Sequence, residues 1–281
     1  YTTLFRSWWI PSRACALSMK NGVNGVANTS PANEKQSAIV LRDVRKHYGA
    51  VHAVDGVDLK IPQGQVFGLI GHNGAGKSTL FKMMLGLERP TSGHITVAGA
   101  DVAGPNFRAA RRKLGYLPEN VVLYDNLSGL ETLNFFARLK GASLQECPSL
   151  LDKVGLSHAG KRAVREYSKG MRQRLGFAQA LLGKPEVLFL DEPTNGLDPQ
   201  GIVEMRELIL KLNRERQITV LISSHILDEL SRLATHYGFI DKGTIVKEIT
   251  AEEIHAQDTA LRQDLDDALA NCMKCGNCQA V

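Results

Sequence analysis

One stretch of the chain, residues 71–79, combines side chains and spacing that suit the phosphates of a nucleotide. It reads G-x-x-x-x-G-K-S-T, between an apolar segment typical of a strand and one that is apolar at helical spacing. Glycines allow close backbone approach, so successive N–H groups can point at an anion where the helix begins. Lys77 would reach the β- and γ-phosphates, and the Ser78 hydroxyl would ligate Mg²⁺. A chance glycine-rich turn is the alternative, which the strand–loop–helix context disfavours. The stretch consists of Gly71, His72, Asn73, Gly74, Ala75, Gly76, Lys77, Ser78 and Thr79.

Two adjacent carboxylates, Asp191 and Glu192, follow four consecutive apolar residues. Such a run is typical of a strand buried on both faces of a parallel sheet, and ligands collect at the carboxyl ends of such strands. Asp191 would hold Mg²⁺, mainly through water, and Glu192 would take a proton from an attacking water. Surface charges at a strand tip are the alternative, and the apolar strand before them makes it the weaker one.

Two aromatic side chains stay open to more than one interpretation. His225 follows a second apolar run, where it is either a functional group or a polar residue at the end of a core strand. Tyr48 precedes a turn glycine, where it either stacks on an adenine ring or packs on its own sheet. Taken alone, His225 is interpreted as the polar residue at the end of a core strand, whereas the residues do not decide between the two interpretations of Tyr48.

The elements that must position these residues alternate along the chain. Apolar runs bounded by turn signals indicate buried strands, and apolar residues at three- and four-residue spacing indicate helices. This alternation predicts an α/β fold with a parallel core. Strands are predicted at 38–41, 57–61, 65–70, 93–99, 114–118, 187–190, 218–222, 237–241 and 244–248, and helices at 79–87, 130–139, 150–154, 171–182 and 199–216.

The composition is that of a globular chain, with 281 residues of which 43% are hydrophobic. A net charge of +5 is modest and does not by itself predict nucleic-acid binding. The basic run at 108–113 is interpreted as a solvated helix face, with a partner or anionic lipid as the alternative. No apolar run reaches the roughly 18 residues of a membrane span. Five cysteines without a framework pattern fit a reducing cytosol.

Both ends of the chain differ from its centre. Residues 1–36 are predicted to be a disordered or non-native extension, because the chain begins at Tyr1 and residues 21–37 are rich in Asn, Gly, Ser and Ala, a composition that cannot bury enough surface to fold. Residues 258–281 form a tail in which Cys272, Cys275 and Cys278 are each separated by two residues. Three thiolates suit a soft metal ion. Incidental thiols in a disordered terminus are the alternative.

Taken together, residues 38–257 resemble the ATP-binding subunit of ABC transporters, with the family's motifs in the expected order. The resemblance implies a P-loop NTPase of ABC type over residues 37–257. Its mixed core sheet would lie in a RecA-like lobe, accompanied by an antiparallel β subdomain and a helical signature subdomain. The activity implied is ATP hydrolysis coupled to transport, with ATP and Mg²⁺ as cofactors.

The resemblance also assigns roles to single residues. Tyr48 matches the adenine-stacking aromatic, Asp191 the magnesium position and Glu192 the catalytic base. Residues 167–173 match the family signature, in which Ser168 and Gly170 are kept, and 196–199 match the loop that contains Asp198. His225 matches the switch histidine at the γ-phosphate. In the family's head-to-tail homodimer, each ATP lies between the phosphate loop of one subunit and the signature of the other.

Two substitutions resemble the exporter group called ABC-2. Glu119 replaces a glutamine that contacts magnesium and the membrane subunit, and His72 replaces a common proline. Within that group the chain resembles the NosF group, the ATPases of transporters that mature copper-containing nitrous oxide reductase. The segments concerned are 71–74, 114–121, 127–129, 136–142 and 167–182.

This resemblance implies a peripheral position at the cytoplasmic face of the cell membrane. The partners would be an integral membrane permease and, through it, a periplasmic copper-site maturation protein. No nucleic acid is expected. The rivals are the ATPase of another ABC-2 exporter and a soluble ABC ATPase acting on nucleic acid or ribosomes, which usually has two cassettes or a coiled-coil insertion. A regulatory module without turnover is a third, disfavoured by the intact catalytic residues.

Overall fold

The computed structural model describes residues 37–254 and residue 256, and within them the chain forms two β-sheets and several helices. The strands are β1 (Ser37–Tyr48), β2 (Val51–Pro62), β3 (Val66–Ile70), β4 (Ser92–Val97), β5 (Ala100–Asp101), β6 (Leu114–Leu117), β7 (Val187–Asp191), β8 (Thr219–Ser224), β9 (His236–Asp241) and β10 (Thr244–Thr250). The α-helices are α1 (Lys77–Met84), α2 (Phe107–Ala110), α3 (Gly129–Lys140), α4 (Glu146–Lys153), α5 (Lys169–Ala180), α6 (Pro199–Arg216) and α7 (Leu227–Leu230). Short 3₁₀ turns occur at Arg111–Lys113, Ser157–Ala159 and Val164–Glu166.

The core sheet has the strand order β10-β9-β3-β8-β7-β6. Its neighbouring pairs are parallel except β9 with β10, so the sheet is mixed. Every residue of β3, β7 and β8 is buried, as expected for parallel strands covered on both faces. The carboxyl ends of these three strands lie side by side, since Ile70 pairs with Ser224 and Asp191 with Ser223.

A second, antiparallel sheet has the order β2-β1-β4-β5. The strands predicted at 38–41 and 57–61 are too short, because β1 and β2 each contain twelve residues. The halves of β1 and β2 next to the turn between them carry polar side chains, and their sequence shows no regular alternation of apolar residues. They are held instead by pairing, since β1 bonds to β2 on one side and to β4 on the other.

Helices α3, α4 and α5 pack together, through buried residues such as Leu133, Leu151 and Leu175. The helix predicted at 150–154 begins earlier, at Glu146. Pro148 falls in its first turn, where the missing proline N–H would have no helical partner anyway. The predicted arrangement of a mixed core sheet, an antiparallel β subdomain and a helical subdomain is therefore confirmed.

Within the described part of the chain, no helix combines the length and apolar character that a membrane span requires.

Candidate nucleotide site

The phosphate loop, residues 71–79, joins the end of β3 to the start of α1. Two of its glycines leave no room for a side chain. A Cβ on Gly71 would lie 2.4 Å from the carbonyl oxygen of Ile240, and one on Gly76 would lie 2.5 Å from that of Ala53. Gly76 also has a φ of 107°, which glycine adopts without steric cost. The path of the loop therefore requires glycine at both positions.

The loop delivers an open helix end to this edge of the core sheet. Gly76 offers no capping side chain to α1, and the first turn of the helix contains no acidic residue. The first N–H groups of a helix have no partner inside it, and they lie at the positive end of its dipole. This helix end therefore fits an anion such as a phosphate group.

The side chain of Lys77 turns back toward the first residues of the phosphate loop. Its Nζ donates hydrogen bonds to the carbonyl oxygens of Gly71, at 2.6 Å, and His72, at 3.3 Å. The same Nζ is 3.6 Å from Oε1 of Glu192, and both side chains are buried. The cation is thus positioned between the phosphate loop and the end of β7.

Asp191 and Glu192 share a hydroxyl that the sequence interpretation did not single out. Ser223, at the end of β8, donates from Oγ to Oδ1 of Asp191 and accepts from the Glu192 N–H at 3.1 Å. Ser223 is fully buried, and the two acids are 3% and 4% exposed. The hydroxyl therefore ties the two carboxylate residues to the neighbouring strand. The only signal in the sequence was its place at the end of an apolar run.

Glu192 is held in an unusual local conformation. Its φ is 49°, in the left-handed region, and strain of this kind in a non-glycine residue is typical of functional sites. Its Oε2 lies 3.0 Å from Nδ1 of His225, while Oε1 is buried without a hydrogen-bond partner among the described residues. Burial raises the pKa of Glu192, against the opposing effects of His225 and Lys77. A raised pKa suits a carboxylate that accepts a proton near neutral pH.

His72 has a partner that the sequence interpretation missed. Its Nδ1 is 2.6 Å from the carbonyl oxygen of Asn73, and its Nε2 is 2.8 Å from Oδ1 of Asp241, the last residue of β9. Both ring nitrogens therefore face acceptors, an arrangement that suits the imidazolium. The Asn73 carbonyl, followed by Asp241, raises the pKa of His72.

Ser168, Gly170 and Asp198 form a second group. Ser168 caps α5 by accepting from the Met171 N–H, and Asp198 caps α6 by accepting from the Gly201 N–H. A Cβ on Gly170 would lie 3.5 Å from the carbonyl oxygen of Gly196, so the two segments are adjacent.

A buried side chain joins this second group to the first. Nε2 of Gln173, on α5, donates to the carbonyl oxygen of Pro193, the residue after Glu192, at 3.1 Å. Gln173 is buried, as this role requires.

The remaining predicted residues lie around the site. Tyr48 is 48% exposed at the end of β1, and the Nζ of Lys46 lies 4.9 Å from its ring centroid. Glu119 is exposed two residues after β6, the neighbour of β7. Burial, with the negative charges of Asp191 and Glu119, raises the pKa of Tyr116 to about 12, so both carboxylates act on one ring.

The cysteines of the predicted soft-metal site, Cys272, Cys275 and Cys278, lie outside the described residues.

A comparison with known families agrees with this geometry. The family model described as ABC transporter matches residues 54–195, half of the chain, including the phosphate loop and both acids. The chain belongs to the ABC transporter ATP-binding family. It is thus an ATPase with the α/β P-loop NTPase fold, as predicted.

Relatives of this ABC ATPase extend the match. It is 44% identical over 217 residues to the bacitracin transport ATP-binding protein BcrA of Bacillus licheniformis, covering 77% of this chain and 71% of that protein. It is also 44% identical over 208 residues to the lantibiotic transport ATP-binding protein SrtF of Streptococcus pyogenes, covering 74% and 89%. Its fold matches the ATP-binding cassette MJ0796, solved as a post-hydrolysis dimer bound to ADP and Pi. That match has a TM-score of 0.71 at 24% identity, over 76% of this chain and 98% of the other, and shows the fold.

Proposed function

We propose that this protein is the ATPase subunit of an ABC-2 type exporter and that Glu192 is its catalytic base. The observation that carries the assignment is the buried Oε1 of Glu192, which has no hydrogen-bond partner among the described residues and faces Lys77 at 3.6 Å. A water bound to Oε1 would have the Glu192 carboxylate as its proton acceptor and would lie next to the phosphate loop. His225, on the other oxygen, orients the carboxylate and reports the presence of the γ-phosphate.

The other side chains of the site bind and position the nucleotide. Lys77 is expected to exchange its loop carbonyl contacts for the β- and γ-phosphates, and Tyr48 to receive the adenine ring. Ser78, Asp191 and Glu119 would hold Mg²⁺, because hydroxyl and carboxylate oxygens are its preferred protein ligands. When bound, Mg²⁺ neutralises charge that develops on the phosphate oxygens. Catalysis is then mainly positioning and charge stabilisation.

We further propose that two copies of this chain close head to tail on two ATP molecules. Ser168 and Gly170 stand at the start of α5, whose first turn contains no acidic residue. They would offer a second anion site to the partner copy's nucleotide. The cassette MJ0796, which has the same fold, is reported as a dimer bound to ADP and Pi, and this supports a dimer of the present chain.

We propose that the membrane permease docks on exposed apolar side chains that follow Glu119 in the sequence. The residues of this aromatic patch are Val122, Tyr124, Phe135 and Leu139, which are 86%, 55%, 38% and 69% exposed. The rings of Tyr124 and Phe135 meet edge to face, with centroids 5.4 Å apart. Exposed apolar side chains in contact, as Tyr124 and Phe135 are, typically mark an interaction site. Docking of a permease here would place the protein at the cytoplasmic face of the membrane.

The transported substrate is a separate question. The two relatives are named for bacitracin and lantibiotic transport, which supports an antibiotic or peptide exporter. A role in the maturation of nitrous oxide reductase stays a prediction that rests on the sequence segments alone. The same holds for a periplasmic copper-site maturation protein that the permease would contact. The domain limits proposed from the sequence, 1–36, 37–257 and 258–281, also stay as predictions.

The catalytic assignment is tested with Glu192→Gln. This change keeps the shape of the side chain and removes its basicity, so the variant should bind ATP and dimerise while hydrolysing it at least about a hundredfold more slowly. Phosphate release and size-exclusion chromatography with ATP measure the two properties. Turnover within a factor of about two of the unchanged protein would remove Glu192 from the role of base.

The partner is tested by pull-down of the tagged full chain from detergent-solubilised membranes of its host. A polytopic permease should be recovered, and Tyr124→Ser should weaken its recovery. Val246→Ser is the matched control, since Val246 is 61% exposed on β10, outside the aromatic patch. Recovery of a copper-site maturation protein would favour the copper pathway. Recovery of an antibiotic exporter permease without that protein would exclude the copper pathway. Ribosomes or nucleic acid in place of a permease would overturn the transporter proposal.

A further inference from the structure

We propose that His47, His52 and Asp55 form a binding site for a divalent transition-metal ion at the end of the β1–β2 hairpin. The ligating atoms of these three side chains all lie within 4.8 Å of one another. The site shares no residue with the proposed nucleotide site or with the predicted cysteine site in the tail. It goes beyond the proposed function.

The hairpin brings the three side chains together. His47 and His52 are cross-strand partners, and their rings stack with centroids 3.9 Å apart and planes inclined by 12°. Asp55 lies three residues further along β2. Its Oδ1 is 3.9 Å from Nε2 of His47, and its Oδ2 is 3.6 Å from Nδ1 of His52.

These separations are close to those that a metal ion requires. Zinc ligands at about 2.1 Å in a tetrahedron are about 3.4 Å from one another. The measured separations, 3.9 Å from His47 to Oδ1 of Asp55 and 3.6 Å from His52 to its Oδ2, exceed that value by a few tenths of an ångström, and binding through Oδ2 alone also requires His47 to move toward that oxygen. Because the two imidazole rings are stacked, their in-plane lone pairs run nearly parallel, and one ring must turn out of the stack toward Asp55 before both can bind one ion, with water as the remaining ligand.

One ligand atom has no other role in the structure. Nε2 of His47 is buried and has no hydrogen-bond partner among the residues that the structure describes. A buried polar atom without a partner costs free energy that a ligand or a water would recover. Coordination would satisfy this nitrogen.

The charges around the cluster leave room for a cation. Arg45 donates to Oδ1 of Asp55 at 2.6 Å and is also paired with Asp43 at 2.8 Å. The positive charge of Arg45 is therefore shared between two carboxylates, and Arg45 holds Asp55 in place. Oδ2 of Asp55 still faces His52. The carboxylate can bind a metal through that oxygen without losing Arg45.

The donor set determines the class of metal. Two imidazole nitrogens and one carboxylate oxygen suit Zn²⁺, Cu²⁺ or Ni²⁺. They are a poor match for Mg²⁺ or Ca²⁺, which prefer oxygen ligands, and the set lacks the thiolates that favour Cu(I). The His52 and Asp55 side chains are 55% and 36% exposed, so an ion can enter from solvent.

The site is tested by titrating the full chain with Zn²⁺ alone, without nucleotide, by isothermal calorimetry. The thiols outside the described core are first removed by Cys15→Ser, Cys272→Ser, Cys275→Ser and Cys278→Ser, so that they do not compete for zinc. About one Zn²⁺ per chain should bind, and His52→Gln should weaken the affinity at least about tenfold, since it deletes one of three protein ligands. His158→Gln, an exposed histidine of the helical subdomain, is the matched control and should leave the affinity unchanged.

A second variant and a second measurement distinguish loss of metal binding from misfolding. Asp55→Asn should weaken binding to a similar extent, and melting curves without metal verify that each variant is folded. Co²⁺ in place of Zn²⁺ should give visible absorption bands without the near-ultraviolet bands of thiolate ligands. Absence of Zn²⁺ binding, or equal affinity in folded His52→Gln and His158→Gln, would overturn the proposal.

Discussion

Ser223 provides the most direct test of how the site is held together. Its hydroxyl donates to Asp191 and accepts from the Glu192 N–H, and all three residues are buried. Ser223→Ala removes this hydroxyl and nothing else. Asp191 then loses a donor while remaining 3% exposed, so water cannot easily replace it.

The size of the effect follows from the two hydrogen bonds. Removing a donor from a buried carboxylate costs about 1.5–3 kcal/mol. The Glu192 N–H loses less, because it also donates to the Ser223 carbonyl oxygen at 3.2 Å, which the substitution keeps. We therefore expect a loss of about 2 kcal/mol in the free energy of unfolding, or about 4–8 °C in Tm for a domain of this size. ATP turnover should fall at least about tenfold, because Asp191 loses its position.

Calorimetric melting and phosphate release measure the two effects. Ser223→Cys, which keeps the size of the side chain and a weak donor, should fall between the alanine variant and the unchanged protein. Ser224→Ala is the neighbouring control, since the Ser224 hydroxyl donates to Glu229 at 3.0 Å rather than to either catalytic acid. It should change turnover by less than Ser223→Ala. A Ser223→Ala protein with unchanged Tm and unchanged turnover would refute the reasoning.

Three further predictions concern the phosphate loop and the catalytic acid. Gly76→Ala should abolish measurable ATP binding, because its Cβ would lie 2.5 Å from the carbonyl oxygen of Ala53. Gly74→Ala should weaken binding less, since no atom lies within 4 Å of its Cβ. Titration with fluorescent ATP compares the two variants, and equal losses of affinity would contradict the predicted steric clash. Because burial raises the Glu192 pKa above its ordinary 4.5, the folded chain binds that proton more tightly than the unfolded chain, and stability is lost as pH rises through the folded pKa. Glu192→Gln should therefore melt higher than the unchanged protein at pH about 8, with the difference vanishing below about pH 4; a difference independent of pH would contradict this. The raised pKa of His72 means that its pairing with Asp241 stabilises the fold below the unfolded pKa and is lost as pH rises through the folded one. Asp241→Asn should lower the His72 pKa in an NMR titration, and an unchanged value would show that the Asn73 carbonyl alone sets it.

Much of the site was predictable because its chemistry is local in sequence. The phosphate loop is one contiguous segment, and its glycines, Lys77 and Ser78 have their meaning from spacing alone. The apolar runs before Asp191 and His225 predicted buried parallel strands, whose carboxyl ends meet at one edge of a sheet. The fold class followed from the same patterns and from the order of the motifs.

Only the tertiary structure decided which distant side chains meet. Ser223 reaches Asp191 because β7 and β8 are neighbours in register, and His72 reaches Asp241 because β9 lies beside β3. The residues 47, 52 and 55 form a cluster because β1 continues to Tyr48 through a polar stretch without apolar alternation. Strand order and register depend on the packing of the whole chain, whereas a motif depends only on its own residues. The sequence by itself therefore determined the nucleotide chemistry, and the packing of the strands determined the contacts that position it.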